Sequence, residues 1–301
     1  MKIIYFDRVS KKMGQEKVYG ALFLDILYGK QLWKRALSLI ALPLFAGVPF
    51  FSKLYGWFQK SHFSRYKVRP FIHRFDVDAS EFSDPVDSFR SFNDFFIRKL
   101  DLKCRPMAEG KEVAVLPADA RYLVFPRIDQ IDHFFVKGHP FSLEQLLQDK
   151  QKAAAYREGS MVIARLCPVD YHRFHFPCDG VAGMAEEIPG PLFSVNPIAL
   201  KKDPTILSRN KRVITPFKTP SFGTILYIEI GATYVGSIHQ TFEKGKMYKK
   251  GDEKGFFSFG GSSLILLFEP GKIHFEEDLL RYSSRNIEVR GLFGDKLGKS
   301  G

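Results

Sequence analysis

The sequence lacks the patterns that mark disulfide-rich, zinc-stabilised and nucleic-acid-binding proteins. Its three cysteines, Cys104, Cys167 and Cys178, form no CxxC pair, which argues against a disulfide framework and a structural zinc site and fits a reducing compartment. The N-terminus MKIIYFDRVSKKMGQEKVYG lacks the basic-then-apolar order of a secretory signal. Because the basic residues are scattered and follow no zinc-finger or RNA-recognition pattern, we expect no nucleic-acid partner.

No apolar run is long enough to cross a bilayer as an uninterrupted helix. The segment from Ala36 to Phe51 carries no charge, but its 16 residues are broken by a glycine and by Pro43 and Pro49. We expect it to lie on a membrane surface, and a kinked helix buried against the domain is the alternative. The formal net charge of +12 favours an anionic partner, such as an acidic membrane.

The first third of the chain has the spacing of helices. Apolar residues recur at helical intervals from about Glu16 to Phe63, and residues 88–100 form a second amphipathic stretch. We therefore predict a helical, membrane-associating N-terminal region over residues 1–105.

The remainder has the character of a β-rich core. From Val113 onward, short β-branched and aromatic runs alternate with turn residues, and only residues 141–159 interrupt them with a helical pattern. Most connections are too short for parallel crossovers, so the strands should be mainly antiparallel. The predicted fold class is α+β, with a catalytic core over residues 106–301.

Three stretches of this core carry residue types that are typical of chemistry. They are LPADARYLVF with Asp119, CPVDYHRFHFPCDG with His172 and His175, and FSFGGSSLILLF with Ser262. Each alone has a structural explanation: a turn-forming aspartate, histidines among aromatics, and a glycine bend in a strand. Together they supply a nucleophile, a base and a group that orients the base.

Two familiar types of site do not fit. A nucleophile elbow of the GxSxG type requires glycine at position 264, where the sequence has Leu264. A metal site through His172 and His175 lacks the HExxH pattern and any further ligand at a recognisable spacing. We therefore expect no metal.

A different reaction explains why glycine precedes the serine. If Ser262 Oγ attacks the carbonyl of Gly261, the absent side chain leaves that carbonyl accessible, and the peptide becomes an ester. Loss of the Ser262 Cα proton then expels the Gly261 carboxylate and leaves dehydroalanine, which hydrolyses to a pyruvoyl group. The chain would become two fragments, residues 1–261 and residues 262–301.

The sequence resembles the phosphatidylserine decarboxylase family across nearly its whole length. GGSS resembles the LGST processing site of that family, and the matching stretches run in order along the chain. Two positions differ: Ala120 replaces a usual glycine, and Gly260 replaces a common leucine. The stretches that carry the resemblance include SFNDFFIRKL at 91–100, RP at 105–106, PAD at 117–119, VKGHPFSLEQLL at 136–147, CPVDYHRFHFPCDG at 167–180 and KGDEKGFFSFGGSS at 250–263.

The resemblance implies roles for four residues. Asp119, His175 and Ser262 match the family residues that act together in self-cleavage between Gly261 and Ser262. His172 matches a histidine that is implicated in decarboxylation. The covalent pyruvoyl group derived from Ser262 would be the cofactor, and it would act through a Schiff base with the substrate amine.

The resemblance also implies the substrate and the setting. The reaction converts phosphatidylserine in an anionic membrane to phosphatidylethanolamine and carbon dioxide, at the cytoplasmic face of the cell membrane, by a peripheral protein. The two cleavage fragments would remain together as a heterodimer, and a homo-oligomer is compatible with the sequence. Candidates for contacts to the lipid phosphate are Arg173, Lys137 and Tyr171.

Two rival interpretations remain open at this point. One is a membrane-surface module that keeps the fold but is neither cut nor catalytic. The other is a pyruvoyl decarboxylase of a soluble amino acid, for which the apolar segment from Ala36 to Phe51 would be superfluous.

Overall fold

A computed structural model describes residues 3–17, 56–133, 142–200, 203–232, 238–260 and 262–301. The predicted apolar segment, Lys137 and Gly261 lie outside the described residues. The strands are β1 Ile4–Asp7, β2 Lys12–Gln15, β3 Val113–Val115, β4 Ala120–Phe125, β5 Ser160–Leu166, β6 Arg173–His175, β7 Gly180–Ala182, β8 Glu186–Ile188, β9 Arg212–Thr219, β10 Gly223–Gly231, β11 Ile238–Gln240, β12 Met247–Tyr248, β13 Glu253–Phe257, β14 Ser262–Phe268, β15 Ile273–Phe275, β16 Glu288–Gly291 and β17 Lys296–Ser300.

Short helices connect these strands. The α-helices are α1 Val68–Phe75, α2 Phe92–Phe96, α3 Leu143–Leu147, α4 Lys150–Tyr156, α5 Pro197–Leu200, α6 Ile206–Arg209 and α7 Glu277–Ser283. The 3₁₀ turns are His62–Lys67, Ala79–Glu81, Val86–Ser88, Leu102–Cys104 and Ile128–His133. None of the helices in the described ranges has both the length and the apolar character needed to cross a membrane.

One large sheet forms the centre of the molecule. Its strand order is β12-β7-β9-β10-β14-β5-β4-β16-β1-β2, and β8 also pairs with β9. Among the described pairings of this sheet, only β1 with β16 is parallel. The mainly antiparallel core and the mixed α+β content predicted from the sequence are confirmed.

Strand β14 lies in the middle of this sheet. It pairs with β10 on one side and β5 on the other, and all seven of its residues are buried. Leu264 and Leu266 pack into the core on one face, while Ile265 and Leu267 pack into the core on the opposite face. A continuous apolar run is what a strand covered on both faces requires.

The last forty residues are interleaved with the rest of the chain. Besides β14, they supply β16, which pairs with both β4 and β1, and β17, which pairs with β3. A cut before Ser262 would therefore leave the C-terminal piece held by strand pairing on several sides.

The start of the chain differs from the predicted helical region. Residues Ile4–Gln15 form a β-hairpin, and its first strand extends the large sheet by pairing with β16. The partner strand is nearly 300 residues away in sequence, so no local pattern could reveal this pairing. The turn contains Lys11 in a left-handed conformation, with φ 56°.

The helix predicted over residues 141–159 is split into two. Gln148 adopts a left-handed conformation, with φ 49°, and ends α3. Ser142 caps the start of α3, and Asp149 caps the start of α4 through the backbone N–H groups of Gln151 and Lys152. Each short helix thus has its own capping residue.

A cluster of phenylalanines covers the loop that precedes β14. Phe92 and Phe96 of α2 pack edge-on against Phe259, with ring centroids 5.2 and 4.9 Å away. Phe71 of α1 packs against Phe92 from the other side. This cluster places the SFNDFFIRKL stretch directly over the candidate functional residues.

Candidate functional site

Ser262 is the first residue of β14 and is fully buried. It is paired with Gly231 of β10 and Leu166 of β5, so its backbone is fixed at the centre of the sheet. Gly260, two residues earlier, has φ 141°, a conformation that residues with a side chain rarely adopt. The first glycine of the doublet is therefore required by the backbone itself.

His172 is the histidine that lies beside this serine. Its Nδ1 is 3.4 Å from Ser262 Oγ, and its Nε2 is 2.9 Å from the carbonyl oxygen of Cys167. Because a carbonyl only accepts, Nε2 carries the hydrogen, and Nδ1 of the neutral ring is left as an acceptor facing the serine. Phe96 stacks on the imidazole at 3.8 Å and fixes its plane.

The surroundings of His172 keep it neutral. Burial, together with the nearby positive charge of Arg98, lowers the pKa of His172 to about 3. At neutral pH the ring therefore presents a lone pair, not a positive charge, to Ser262.

His175 has both ring nitrogens occupied. Nδ1 lies 2.9 Å from the carbonyl oxygen of Gly251 and donates to it, so Nε2 accepts from the Tyr171 hydroxyl at 3.1 Å. Phe293 stacks on the ring at 3.8 Å. Burial lowers the pKa of His175 to about 4, while the hydrogen bond to Gly251 and the nearby carboxylates oppose that shift.

Asp119 is anchored by an arginine. Its carboxylate accepts from Arg105 Nε and Nη2 at 3.1 and 2.7 Å, and from the backbone N–H of Phe293 at 2.8 Å. Phe293 thus joins Asp119 to His175, since its ring stacks on the imidazole. Within the described part of the chain, Asp119 makes no direct hydrogen bond to His175.

The structure therefore brings the predicted residues into one region, but only one of them is in direct contact with the Ser262 hydroxyl. Only His172 lies within hydrogen-bond distance of Ser262 among the described residues. His175 and Asp119 form a second group, connected through Phe293.

Several residues of the site were not identified from the sequence. Asn93 Oδ1 accepts from the backbone N–H of Phe259 at 2.9 Å and fixes the loop before Gly260. Arg105 anchors Asp119, and Phe96 orients His172. The motifs SFNDFFIRKL and RP contained these residues, but nothing in their local pattern indicated that they face the site.

The neighbouring Ser263 points to the opposite face of the sheet, because successive strand residues alternate. Its hydroxyl is buried and has no hydrogen-bond partner among the described residues. It is paired with Arg165 of β5 and Ile230 of β10. Ser263 is therefore as buried as Ser262, but no histidine lies within hydrogen-bond distance of its hydroxyl among the described residues.

Of the residues suggested for lipid phosphate, Arg173 is already paired. It binds Glu253 at 2.8 Å and the carbonyl oxygen of Ile97 at 2.9 Å. No group of three or more metal-ligating side chains is found in the described ranges.

Replacement of Gly260 by alanine should slow the reaction of Ser262. Forcing a side chain into this conformation costs about 1–3 kcal/mol, and the strain lies two residues from the serine. We expect a measurable delay in chain cleavage on a time course by denaturing electrophoresis. Gly271, in the turn between β14 and β15, has φ 71° and open space around it. Gly271→Ala should bear similar strain and cleave at the normal rate; equal delays in both variants would contradict this role of Gly260.

The two buried histidines should make the fold sensitive to acid. Their pKa values are lower in the folded chain than the usual 6.5, so their contribution is complete above pH 6.5 and is lost as the pH falls toward 4 and 3. Each ring should lower the free energy of unfolding by roughly 1.4 kcal/mol per pH unit in that window. Urea unfolding between pH 7.5 and 4.5 measures this dependence.

The matched variants for this measurement are His172→Gln and His175→Gln in an uncut Ser262→Ala chain. Each should show a shallower loss of stability with acid than the parent. An unchanged slope in both would contradict the assignment of buried neutral rings.

The antiparallel core and the buried serine beside a neutral histidine define a β-rich enzyme. A model of the family described as phosphatidylserine decarboxylase matches residues 92–298. The chain belongs to the phosphatidylserine decarboxylase family, a family of carboxy-lyases, as the resemblance in the sequence indicated.

Curated relatives match over almost the full length. A phosphatidylserine decarboxylase proenzyme of Chlamydia pneumoniae is 46% identical, over 98% of this chain and 97% of the relative. The proenzyme of Chlamydia felis is 44% identical over 99% of this chain and 98% of the relative. That of Chlamydia muridarum (strain MoPn / Nigg) is 51% identical over 83% of each chain.

Proposed function

We propose that this protein decarboxylates phosphatidylserine to phosphatidylethanolamine and carbon dioxide, after making a pyruvoyl group from its own Ser262. The observation that carries this proposal is a buried Ser262 with His172 beside its hydroxyl and with His175 and Asp119 joined through Phe293 in the same region. The relatives named phosphatidylserine decarboxylase proenzyme support both the substrate and a precursor that is processed.

Self-cleavage uses groups of the chain itself. Ser262 Oγ attacks the Gly261 carbonyl carbon, the peptide nitrogen leaves as the new amine, and an ester joins the two residues. Removal of the Ser262 Cα proton breaks the ester bond and releases the Gly261 carboxylate. Addition of water to the resulting dehydroalanine and loss of ammonia leave a ketone at the start of the 262–301 fragment.

The histidine that acts as the base in self-cleavage must become positively charged. The two histidines differ in how far their surroundings favour that charge. Burial lowers the pKa of both rings. At His175 the charges of Glu253 and Asp119 favour the protonated form, and that of Arg173 opposes it. At His172 the charge of Arg98 opposes it, and no carboxylate of the described residues favours it. We assign His175, supported by Asp119, to self-cleavage. His175 makes no hydrogen bond to Ser262 in the described structure, so this assignment requires the two to approach during the reaction, as catalytic hydrogen bonds often tighten only in the reacting state.

His172 serves the decarboxylation step. The pyruvoyl group supplies a ketone that reacts with the substrate amine and accepts the electrons released as carbon dioxide leaves. His172 Nδ1 is adjacent to this position; the negative charge of the bound substrate would offset that of Arg98 and allow Nδ1 to take up and deliver the proton that replaces the lost carboxylate. Burial of the site and the stacked Phe96 exclude water from that proton transfer.

An exposed aromatic surface supports a peripheral membrane location. Trp57, Phe63 and Tyr66 are 69%, 80% and 69% exposed, and basic residues such as Arg65 and Lys67 lie among them. Aromatic rings with flanking basic residues favour the headgroup region of an anionic bilayer. We propose that this surface and the preceding apolar segment hold the enzyme on the cytoplasmic face of the membrane.

An activity comparison tests the substrate. Purified protein should release carbon dioxide from phosphatidylserine in mixed micelles and none from free serine under the same conditions. Activity on serine alone would favour the soluble amino acid decarboxylase. An uncut chain without activity on either would favour the non-catalytic membrane module.

A further inference from the structure

A pocket of about 440 Å³ lies beside the candidate site. It is bounded by the N-terminal hairpin, by residues 75–82 and by the loop that follows β5. Asp119 and Tyr171 line it, and so does Cys167, whose carbonyl oxygen holds His172. The pocket therefore adjoins the site, because Tyr171 immediately precedes His172, although Ser262 and both histidines lie outside its lining.

Arg98 lines this pocket without a directly bonded carboxylate in the described structure; Asp119, Asp170 and Glu81 act on its charge from a distance. Arg98 is only 5% exposed, and its Nη groups donate to the backbone carbonyl oxygens of Phe95, Val169 and Asp170 at 3.0–3.4 Å. Its Nε has no hydrogen-bond partner, and no carboxylate binds it within the described part of the chain. Leaving a buried donor unpaired is costly, so such a group indicates a missing partner.

Arg121, which also lines the pocket, has an Nε that is likewise unpaired among the described residues. It is 4% exposed, and its closest carboxylate contact is a long one of 3.4 Å to Asp170. Both arginines line the pocket and both contact Asp170, Arg98 at its backbone carbonyl oxygen and Arg121 at its carboxylate. Their Nε donors are buried as well as unpaired, so an oxyanion in the pocket would bind them once the side chains turn toward it.

The carboxylates around the pocket are bonded mainly to other groups; Asp170 also contacts Arg121 at 3.4 Å, but neither arginine Nε has a partner among the described residues. Asp119 and Glu81 bind Arg105, both at 2.7 Å. The remaining pairs are Glu16 with Arg165, Asp76 with Lys17, Asp78 with the backbone N–H of Ser80, and Asp170 with the backbone N–H of Cys167.

We propose that the Nε groups of Arg98 and Arg121 bind the phosphodiester of the glycerophospholipid substrate in this pocket. This inference rests on the proposed function and deepens it by locating the headgroup phosphate. The serine carboxylate is a poorer occupant, because an arginine bound to it would stabilise the substrate more than a transition state that is losing charge as carbon dioxide leaves.

Two aromatic rings lie close to Arg98. Its guanidinium carbon lies 4.9 and 4.8 Å from the ring centroids of Phe82 and Phe95, which pack edge-on against each other. Its charge also reaches His172, where it contributes to the lowered pKa. A phosphate at Arg98 would therefore sit within electrostatic range of the reacting centre, as one substrate spanning both places requires.

The test compares arginine variants of the full chain in mixed micelles of phosphatidylserine and neutral detergent. Arg98→Gln and Arg121→Gln should each raise KM roughly 10- to 100-fold, the loss of one charge-assisted hydrogen bond, with kcat changed far less. Arg290→Gln is the matched control, since Arg290 lines the same pocket but binds Asp7 at 3.2 Å. Its KM should stay near that of the parent.

Self-cleavage shows whether each variant has folded, because it requires the native site and no lipid substrate. Cleaved variants of Arg98 and Arg121 with an unchanged KM would overturn the proposal. If the glutamine variants remain uncut, Arg98→Lys and Arg121→Lys are measured instead; they keep the charge, remove the Nε donor, and should still raise KM.

Inhibition of the parent enzyme tests whether the pocket binds the phosphodiester of a lipid headgroup or free inorganic phosphate. Glycerophosphoserine should compete with the lipid substrate more strongly than inorganic phosphate, and Arg98→Gln should weaken that competition. Stronger competition by inorganic phosphate, or none by either, would overturn a lipid site. The uncut Ser262→Ala chain should still gain thermal stability from glycerophosphoserine, so the pocket can be tested even if the protein proves not to be a decarboxylase.

Discussion

Ser262→Ala is expected to remain one chain of 301 residues with no decarboxylase activity. Without the hydroxyl, no ester can form with Gly261 and the chain cannot be cleaved. Without cleavage there is no ketone to react with the substrate amine. Denaturing electrophoresis should show a single band where the parent shows a large and a small fragment. The fold should persist, because the hydroxyl contributes one long contact to His172 and no other hydrogen bond in the described structure.

Ser263→Ala is the matched control for this experiment. Ser263 is equally buried and adjacent in sequence, but its hydroxyl faces away from His172 and has no partner among the described residues. This variant should be cut and should retain activity. Cleavage of Ser262→Ala, or loss of cleavage only in Ser263→Ala, would show that the nucleophile has been misassigned.

The two histidine variants should fail at different steps. His175→Ala is expected to stay uncut, because it removes the base that Asp119 and Glu253 make easiest to protonate. His172→Ala is expected to be cut yet to lose roughly 10²- to 10⁴-fold in kcat, the usual contribution of a general acid. Electrophoresis and carbon dioxide release on the same preparations separate the two effects.

The reverse pattern would change the roles. If His172→Ala stays uncut while His175→Ala is cleaved normally, the 3.4 Å contact to Ser262 identifies His172 as the base of self-cleavage. Circular dichroism of both variants checks that a missing cut is not a missing fold, since both rings are buried.

The sequence predicted features that follow from local patterns. The apolar run of β14 and the alternation of short strands with turns predicted an antiparallel core, since buried strands require these residues. The glycine doublet indicated a bend in the strand, and Gly260 has a backbone conformation that favours glycine. The resemblance supplied the family, which the comparisons confirm.

Features that depend on distant pairing were not predictable. The hairpin Ile4–Gln15 joins the large sheet by pairing with β16, and no residue near the hairpin in the sequence indicates that pairing. The binding of Asp119 to Arg105 also depends on tertiary placement, because neither residue type selects the other in sequence. The unpaired donors of Arg98 and Arg121 become visible only when burial and partners are known for each atom.

The most direct test of the account is the intact mass of the small fragment of the purified protein. A fragment that begins at residue 262 with a pyruvoyl end should be lighter by one ammonia than the same fragment with a free serine, and it should react with a carbonyl reagent. A small fragment with an intact amino-terminal serine, or a chain that is never cut between Gly261 and Ser262, would contradict the account.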